Sequence, residues 1–361
     1  MRRTGLSRHR RRRRLAVLIG LGALAAAWAA ESRAETREVT GFAPNPGALR
    51  MFAHVPEGLP EGAPLVVALH GCTQSAEDFD DESGWVALAD HAGFALLLPQ
   101  QQAANNEALC FDFFAPEHNR RGRGEAASIM AMIDRMQADH GLAAERVFVT
   151  GLSAGGAMTA VLLAAYPERF AGGAVIAGVP YGCASTGGAW LLGLQKQWFL
   201  WTSPYGEAGW AAWLCGIDRT GVLRTTPYPR EPDQWAALVR EAEGGAPARW
   251  PRVTLWQGSA DRTVHPANVG ELLDQWTALH GIDRTPDAEE TGPAWRRRHY
   301  RDGRGETLVE VVEVEGMGHS VPVAPGPAPP LCGRVVAPHF ADHGLCAAFE
   351  IARFWGLIGA E

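Results

Sequence analysis

Arg146-Val147-Phe148-Val149-Thr150-Gly151-Leu152-Ser153-Ala154-Gly155-Gly156-Ala157-Met158-Thr159-Ala160-Val161-Leu162-Leu163 is the stretch on which the fold turns. It opens with a β-branched apolar run and closes with a run of helix formers. Between them stands a serine flanked by glycines, Gly151-x-Ser153-x-Gly155. Composition alone would place G-x-S-x-G in roughly one such chain in eight, so the strand before it and the helix after it supply its meaning. A turn this tight needs glycine because strand and helix approach too closely for side chains. It also holds the serine in a strained, exposed conformation at a helix N-terminus, where the Ala154 amide faces any negative charge that develops. The competing reading is an incidental serine in a glycine-rich turn.

On either side, short apolar β-rich runs recur at Leu65–Leu69, Phe94–Leu98, Val147–Thr150, Ala174–Ala177, Val253–Trp256 and Leu308–Val314. Helical spacing of apolar residues fills the intervals at Glu125 to Ala138, Ala157 to Ala165 and Glu271 to Leu279. Alternation of this kind predicts an α/β protein with a mostly parallel central sheet flanked by helices. With the serine elbow it resembles the α/β-hydrolase fold. Glu38 to Val55 reads as an antiparallel pair at the leading edge of the sheet, and Pro322 to Pro330 as a proline-rich surface loop.

A serine hydroxyl needs a base to activate it and an acid to fix the base's tautomer. The α/β-hydrolase order is serine, acid, histidine. Asp261 follows the strand-like Leu255-Trp256-Gln257-Gly258, and His319 follows the strand Leu308–Val314, so both sit where open parallel sheets build their sites. Asp218 and Asp274 are the rival acids, and His265, His339 and His343 the rival bases. Strand Leu65–Leu69 runs into His70-Gly71-Cys72-Thr73-Gln74, which offers the Cys72 amide, with Thr73 behind it, as the partner of Ala154 in an oxyanion hole. His70 has two readings, a brace beneath that loop or a purely structural side chain.

The N-terminus carries an address. Arg8 and Arg10 to Arg14 precede the apolar run Leu15 to Trp28, which is short for a membrane span, and small-x-small sites follow at Ala27-Trp28-Ala29 and Ser32-Arg33-Ala34. This pattern predicts a cleaved signal peptide over residues 1–34 and one catalytic domain over 35–361, secreted to the periplasm or beyond. A retained anchor is the other reading, and the paired arginines also permit twin-arginine export. The segment holds nine arginines and one glutamate, so its removal takes the formal charge from −7 to −15. A chain so acidic repels polyanions, which excludes nucleic acid and anionic membrane as partners of the mature protein. Six cysteines, Cys72, Cys110, Cys183, Cys215, Cys332 and Cys346, lack C-x-x-C spacing and so favour disulfides over zinc in an oxidising compartment. Many pairings are open to them. Cys332 with Cys346 closes the shortest loop, and Cys72–Cys110 with Cys183–Cys215 would complete a set without interleaving.

Trp190, Trp198, Trp201, Trp210, Trp213, Trp235, Trp250 and Trp256 crowd one region, which predicts a Trp-rich insertion at about 185–250. Exposed indoles there would suit a polyester or a sugar-linked aromatic acid, whereas buried ones would pack the insertion's own core.

Several ordered motifs together resemble a known family: Leu69 to Gln74, Arg121-Gly122-Arg123-Gly124-Glu125, Gly151 to Gly156, Gly258 to Val264, Gly316-Met317-Gly318-His319 and Phe354-Trp355-Gly356-Leu357. They are similar to the esterase family of extracellular polyhydroxybutyrate depolymerases, which also takes in feruloyl and acetyl-xylan esterases of carbohydrate esterase family one. The resemblance spans roughly residues 40–358 and implies the triad Ser153, Asp261 and His319, with no metal and no organic cofactor. Two departures bear on substrate. Cys110-Phe111-Asp112-Phe113-Phe114 stands where the family usually carries Trp-Asn-Trp, and the catalytic domain is expected to lack the linker and surface-binding domain common in depolymerases of crystalline polymer. The expectation is hydrolysis of a short-chain-length polyhydroxyalkanoate or its oligomers, more readily amorphous than crystalline. Feruloyl or acetyl esters of plant polysaccharide are the alternative, and a non-catalytic binding protein on a hydrolase scaffold is the reading from another class.

Overall fold

Apolar runs of the chain become strands, and the amphipathic runs between them become helices. The computed structural model describes residues 36–359 apart from 81, 186–189, 203–205, 219–225, 244–246, 248, 326–331 and 333–336. The signal segment expected over 1–34 therefore lies outside the described residues. The chain lays down β1 (Arg37–Glu38), β2 (Arg50–His54), β3 (Leu65–Leu69), α1 (Ala76–Asp80), α2 (Trp85–Ala92), β4 (Ala95–Gln100), α3 (Gly124–His140), β5 (Val147–Leu152), α4 (Ala154–Ala165) and β6 (Gly172–Ile176). Three helices follow, α5 (Trp190–Thr202), α6 (Gly206–Leu214) and α7 (Pro232–Glu243). The remainder is β7 (Arg252–Gly258), α8 (Asn268–His280), β8 (Ala288–Thr291), β9 (Trp295–Arg301), β10 (Thr307–Val314), β11 (Val321–Val323), β12 (Phe340–Asp342) and α9 (Ala347–Trp355).

One sheet takes the order β1-β2-β4-β3-β5-β6-β7-β10-β9-β8, and β11 pairs separately with β12. From β4 to β10 neighbouring strands run parallel, while β1 and β2 at one edge and β9 and β8 at the other are antiparallel. The α/β architecture and the leading-edge pair expected from sequence are both present. Every residue of β3, β4, β5 and β6 is buried, because crossover helices cover both faces of a parallel sheet. Alternation along β5 separates those faces. Val147 and Val149 join a core with Ile133 of α3, Val161 of α4, Val239 of α7 and Leu272 of α8. Phe148 points the other way and stacks on Trp355 of α9 at 5.0 Å, and Trp85 of α2 stacks on the same indole at 5.8 Å.

Three differences from the sequence reading have physical causes. β6 begins at Gly172, ahead of the expected Ala174, because α4 lies so close that a Cβ on Gly173 would strike Leu163; a pair of glycines then reads as a turn. β9, Trp-Arg-Arg-Arg-His-Tyr-Arg, is too charged to read as a strand. Partners distant in sequence make it one: Arg297, 3% exposed, lies 2.6 Å from Glu350 and 3.6 Å from Glu310, and Arg298 pairs with Glu313. The proline-rich loop is corrected at its start, since Val321–Val323 is a buried strand. Pro322 is tolerated because β11 has a single neighbour among the described residues, so its missing N–H breaks no second ladder there. Residues 326–330 of that loop lie outside the described residues.

The Trp-rich segment divides in two. Helix α7 packs on α4 and α8 and sends Trp235 and Val239 into the main core, so it belongs to the helical layer. Helices α5 and α6 pack on each other, with Trp210 against Phe199 at 5.7 Å and against Trp213 at 5.2 Å. Trp210, Trp235 and Trp256 are buried, whereas Trp198 is 67% and Trp213 is 42% exposed. The side chains of Trp190 and Trp201 lie outside those described. Three disulfides form, Cys72–Cys110, Cys183–Cys215 and Cys332–Cys346, the set without interleaving loops.

Candidate active site

Strand β5 hands over to α4 at Ser153, whose φ of 59° and ψ of −118° are rare for a residue with a side chain. Such a conformation costs about 1–3 kcal/mol and persists only where its surroundings over-determine it. Here the Ser153 N–H donates to the Ile176 carbonyl at 2.9 Å, and α4 starts at the next residue. A Cβ on Gly155 would overlap the carbonyl oxygens of Leu69 and His70, which is why the turn admits only glycine there.

Strands β7 and β10 are parallel neighbours with Gly258 opposite Val314, so the loops that follow them leave the same edge of the sheet. Those loops carry Asp261 and His319, and His319 Nδ1 lies 2.8 Å from Asp261 Oδ2. A carboxylate only accepts, so Nδ1 carries the proton and Nε2 is left as a base. The Asp261 side chain is wholly buried. It is satisfied by Gln257 Nε2 at 3.0 Å and by the amides of Thr263 at 2.8 Å and Val264 at 3.0 Å. Ser153, Cys72, Ala154 and His319 all line one cavity of about 320 Å³. The rival acids stand elsewhere. Asp274 on α8 pairs with Arg284 at 2.7 Å, its carboxyl pushed up to about 6 by burial, and the Asp218 amide donates to the Thr263 carbonyl at 2.8 Å without its residue lining the cavity. His265 Nδ1 accepts from the Ala267 amide at 3.1 Å, and His343 is likewise outside the cavity.

Beneath the loop after β3 lies His70, fully buried. Its Nε2 accepts the Gln101 amide at 3.1 Å, so Nδ1 bears the proton and donates to the Gly71 carbonyl at 2.7 Å. Burial holds this imidazole down to about 4, hence neutral. In a trans peptide the carbonyl and the following N–H point in opposite directions. Fixing the Gly71 carbonyl therefore turns the Cys72 amide away from His70, on a loop fastened by Cys72–Cys110. Of the two readings of His70, the structure supports the brace. Thr73 requires a correction. Its amide donates to the Ala108 carbonyl at 2.7 Å and so is not free for an oxyanion, which leaves the amides of Cys72 and Ala154 as the candidate donors and Thr73 as cavity wall.

Behind the same loop, Glu125 accepts from Gln101 Nε2 at 2.6 Å and from the Asp112 amide at 2.8 Å. Burial pushes its carboxyl up to about 8. Phe111, Phe113 and Phe114 line the cavity where the resembled family carries its tryptophans, and Asp112 accepts from Asn106 at 2.9 Å.

His339, weighed in sequence only as a rival base, also lines the cavity. Its φ is 70°, its Nδ1 lies 3.3 Å from the His319 carbonyl, and its ring stands edge-on to that of His319 at 6.1 Å. Pairing of Val321 with Phe340 sets the two histidines side by side, each just ahead of its strand. No local motif announces this contact.

Comparison with known proteins places the chain among esterases. Residues 51–191 match the family described as esterase PHB depolymerase. The chain is 42% identical over 322 residues to poly(3-hydroxyalkanoate) depolymerase C of Paucimonas lemoignei, covering 89% of this chain and 70% of that one. It is 30% identical to feruloyl esterase B of Thermothelomyces thermophilus, covering 83% and 92%. The solved acetyl xylan esterase from Aspergillus awamori superposes with a TM-score of 0.67 at 24% identity, over 90% of this chain and all of that one.

Proposed function

Since the chain belongs to the esterase PHB depolymerase family and hydrolyses ester bonds, we propose that its substrate is a short-chain-length polyhydroxyalkanoate or an oligomer of one, opened through an acyl-enzyme on Ser153. Ser153 Oγ attacks the ester carbonyl while His319 Nε2 takes its proton. The amides of Cys72 and Ala154 stabilise the oxyanion. Collapse breaks the bond to the alcohol, which leaves with the proton from His319. Water, deprotonated by His319, then releases the acid. Asp261 holds Nδ1–H throughout. The observation that carries this reading is the single cavity lined by both Ser153 and His319, with Asp261 2.8 Å behind the imidazole.

The exposed Trp198 and Trp213 and the phenylalanine wall suit a flexible apolar chain. Residues 1–34 serve as an export signal and 35–361 as the single catalytic domain, which accords with three disulfides. Feruloyl or acetyl esters of plant polysaccharide form the second reading, favoured by the 92% coverage of a feruloyl esterase. Ser153→Ala should remove turnover of p-nitrophenyl butyrate by a factor on the order of 10⁴ or more with the circular dichroism unchanged. An undiminished rate in that variant rules out Ser153. Wild-type protein assayed in parallel on polyhydroxybutyrate granules, methyl ferulate and acetylated xylan ranks the substrates, and release of ferulate without 3-hydroxybutyrate reverses the order.

A further inference from the structure

A second cavity, of about 570 Å³, adjoins the one that contains Ser153, and Phe113, Phe114 and Ala157 line both. Val161 and Leu238 extend its apolar lining, while Arg120 and Arg123 are exposed at its margin. The other cations there are already matched. Arg121 bonds Glu168 through both guanidinium nitrogens, at 2.9 and 2.7 Å, and Lys196 meets Glu207 at 2.8 Å. Neither Arg120 nor Arg123 forms an ion pair among the described residues, and Glu241 is the remaining carboxylate of the lining. Tyr181, its hydroxyl pushed up to about 12 by burial, is a neutral group there and donates to the Asn119 carbonyl at 3.3 Å. The Arg120 guanidinium is close enough to act against that shift. Two unmatched cations on a chain whose residues 35–361 sum to −15 are not an overflow of general charge.

We propose that this second cavity is a carboxylate subsite, in which Arg120 and Arg123 hold the free acid end of a hydroxyalkanoate oligomer while an ester further along the chain lies over Ser153. The inference rests on the polyester reading above. The interior of a polyester chain is neutral and gives two guanidinium groups nothing to bind. Every linear hydroxyacid oligomer, by contrast, ends in a carboxylate, and each hydrolysis creates another. Guanidinium and carboxylate pair through parallel charge-assisted hydrogen bonds. At an exposed margin salt screens that pairing, so it sets preference more than absolute affinity. Anchoring the acid end fixes the distance from it to the cleaved ester, across the shared Phe113–Phe114 wall.

The test compares kcat/KM for the linear 3-hydroxybutyrate trimer as free acid and as methyl ester, with p-nitrophenyl butyrate as reference. The free acid should be preferred by about tenfold. The preference should shrink in roughly 1 M sodium chloride, where the screening length falls to about 3 Å. It should vanish in Arg120→Ala/Arg123→Ala while the methyl ester and p-nitrophenyl butyrate react as before. Equal kcat/KM for acid and methyl ester in the wild type overturns the subsite and leaves the polyester reading standing. Rejection of both trimers, with p-nitrophenyl butyrate still cleaved, overturns the polyester reading instead. If the alanine pair loses its fold, Arg120→Gln/Arg123→Gln keeps side-chain length without charge, and retention of the acid preference in it overturns the proposal.

Discussion

A single proton on Nδ1 of His319 joins the cavity to a carboxylate that solvent does not reach. Asp261→Asn keeps the size of that partner but can no longer dictate which ring nitrogen is protonated. The expected result is a fall in kcat on p-nitrophenyl butyrate of about 10⁴ with KM nearly unchanged. A loss smaller than about tenfold would place the acid elsewhere. His339→Ala removes the donor to the His319 carbonyl and a neighbour of its ring. That variant should lose about 1 kcal/mol of stability in urea titration and several-fold in kcat. At this scale the placement of the candidate residues was legible where each follows the end of a strand, as at Ser153, Asp261 and His319. His339 was not legible as a neighbour of the base, because its contact depends on a pairing between segments twenty residues apart. Thr73 was misread for a similar reason, since the acceptor of its amide, Ala108, lies on another loop.

Between the residue and the molecule, the decisive unit is β5 with the turn and helix after it. Two backbone carbonyls occupy the space a side chain at Gly155 would need, and backbone cannot swing aside as a flexible side chain can. Gly155→Ala should therefore cost more than about 3 kcal/mol, read as a lowered urea midpoint, with activity lost in whatever remains folded. A variant as stable as the parent would mean that strand and helix stand further apart than described. Strands covered on both faces announce themselves as unbroken apolar runs, and β3, β4, β5 and β7 could be read directly. Strand β9 could not, because what makes Arg297 acceptable in the interior is Glu350, 53 residues further on. Helices α5 and α6 were legible only as an aromatic-rich region, since tryptophan content alone does not say which indoles are buried.

For the molecule as a whole, buried ionisable groups tie stability to acidity. Glu125 titrates near 8 in the folded protein against an ordinary value of 4.5, so the fold keeps a proton that the unfolded chain gives up. Its stabilising share is complete below pH 4.5 and is lost as pH rises to 8. His70 runs the opposite way: with a folded value near 4 against 6.5, its share is complete above pH 6.5 and is lost as pH falls to 4. Thermal midpoints of the parent and of Glu125→Gln, measured across this range, should separate in favour of the glutamine variant between pH 4.5 and 8. A constant gap would show that Glu125 is ionised in the fold. The helices α5 and α6 are strung between β6 and β7, and α6 borders the reactive cavity with the small side chains Ala208, Ala211 and Ala212. None of the groups proposed to make or break bonds comes from that stretch. The wall that an incoming ester meets can therefore be recast along one continuous length of chain while the bond-making groups keep their places.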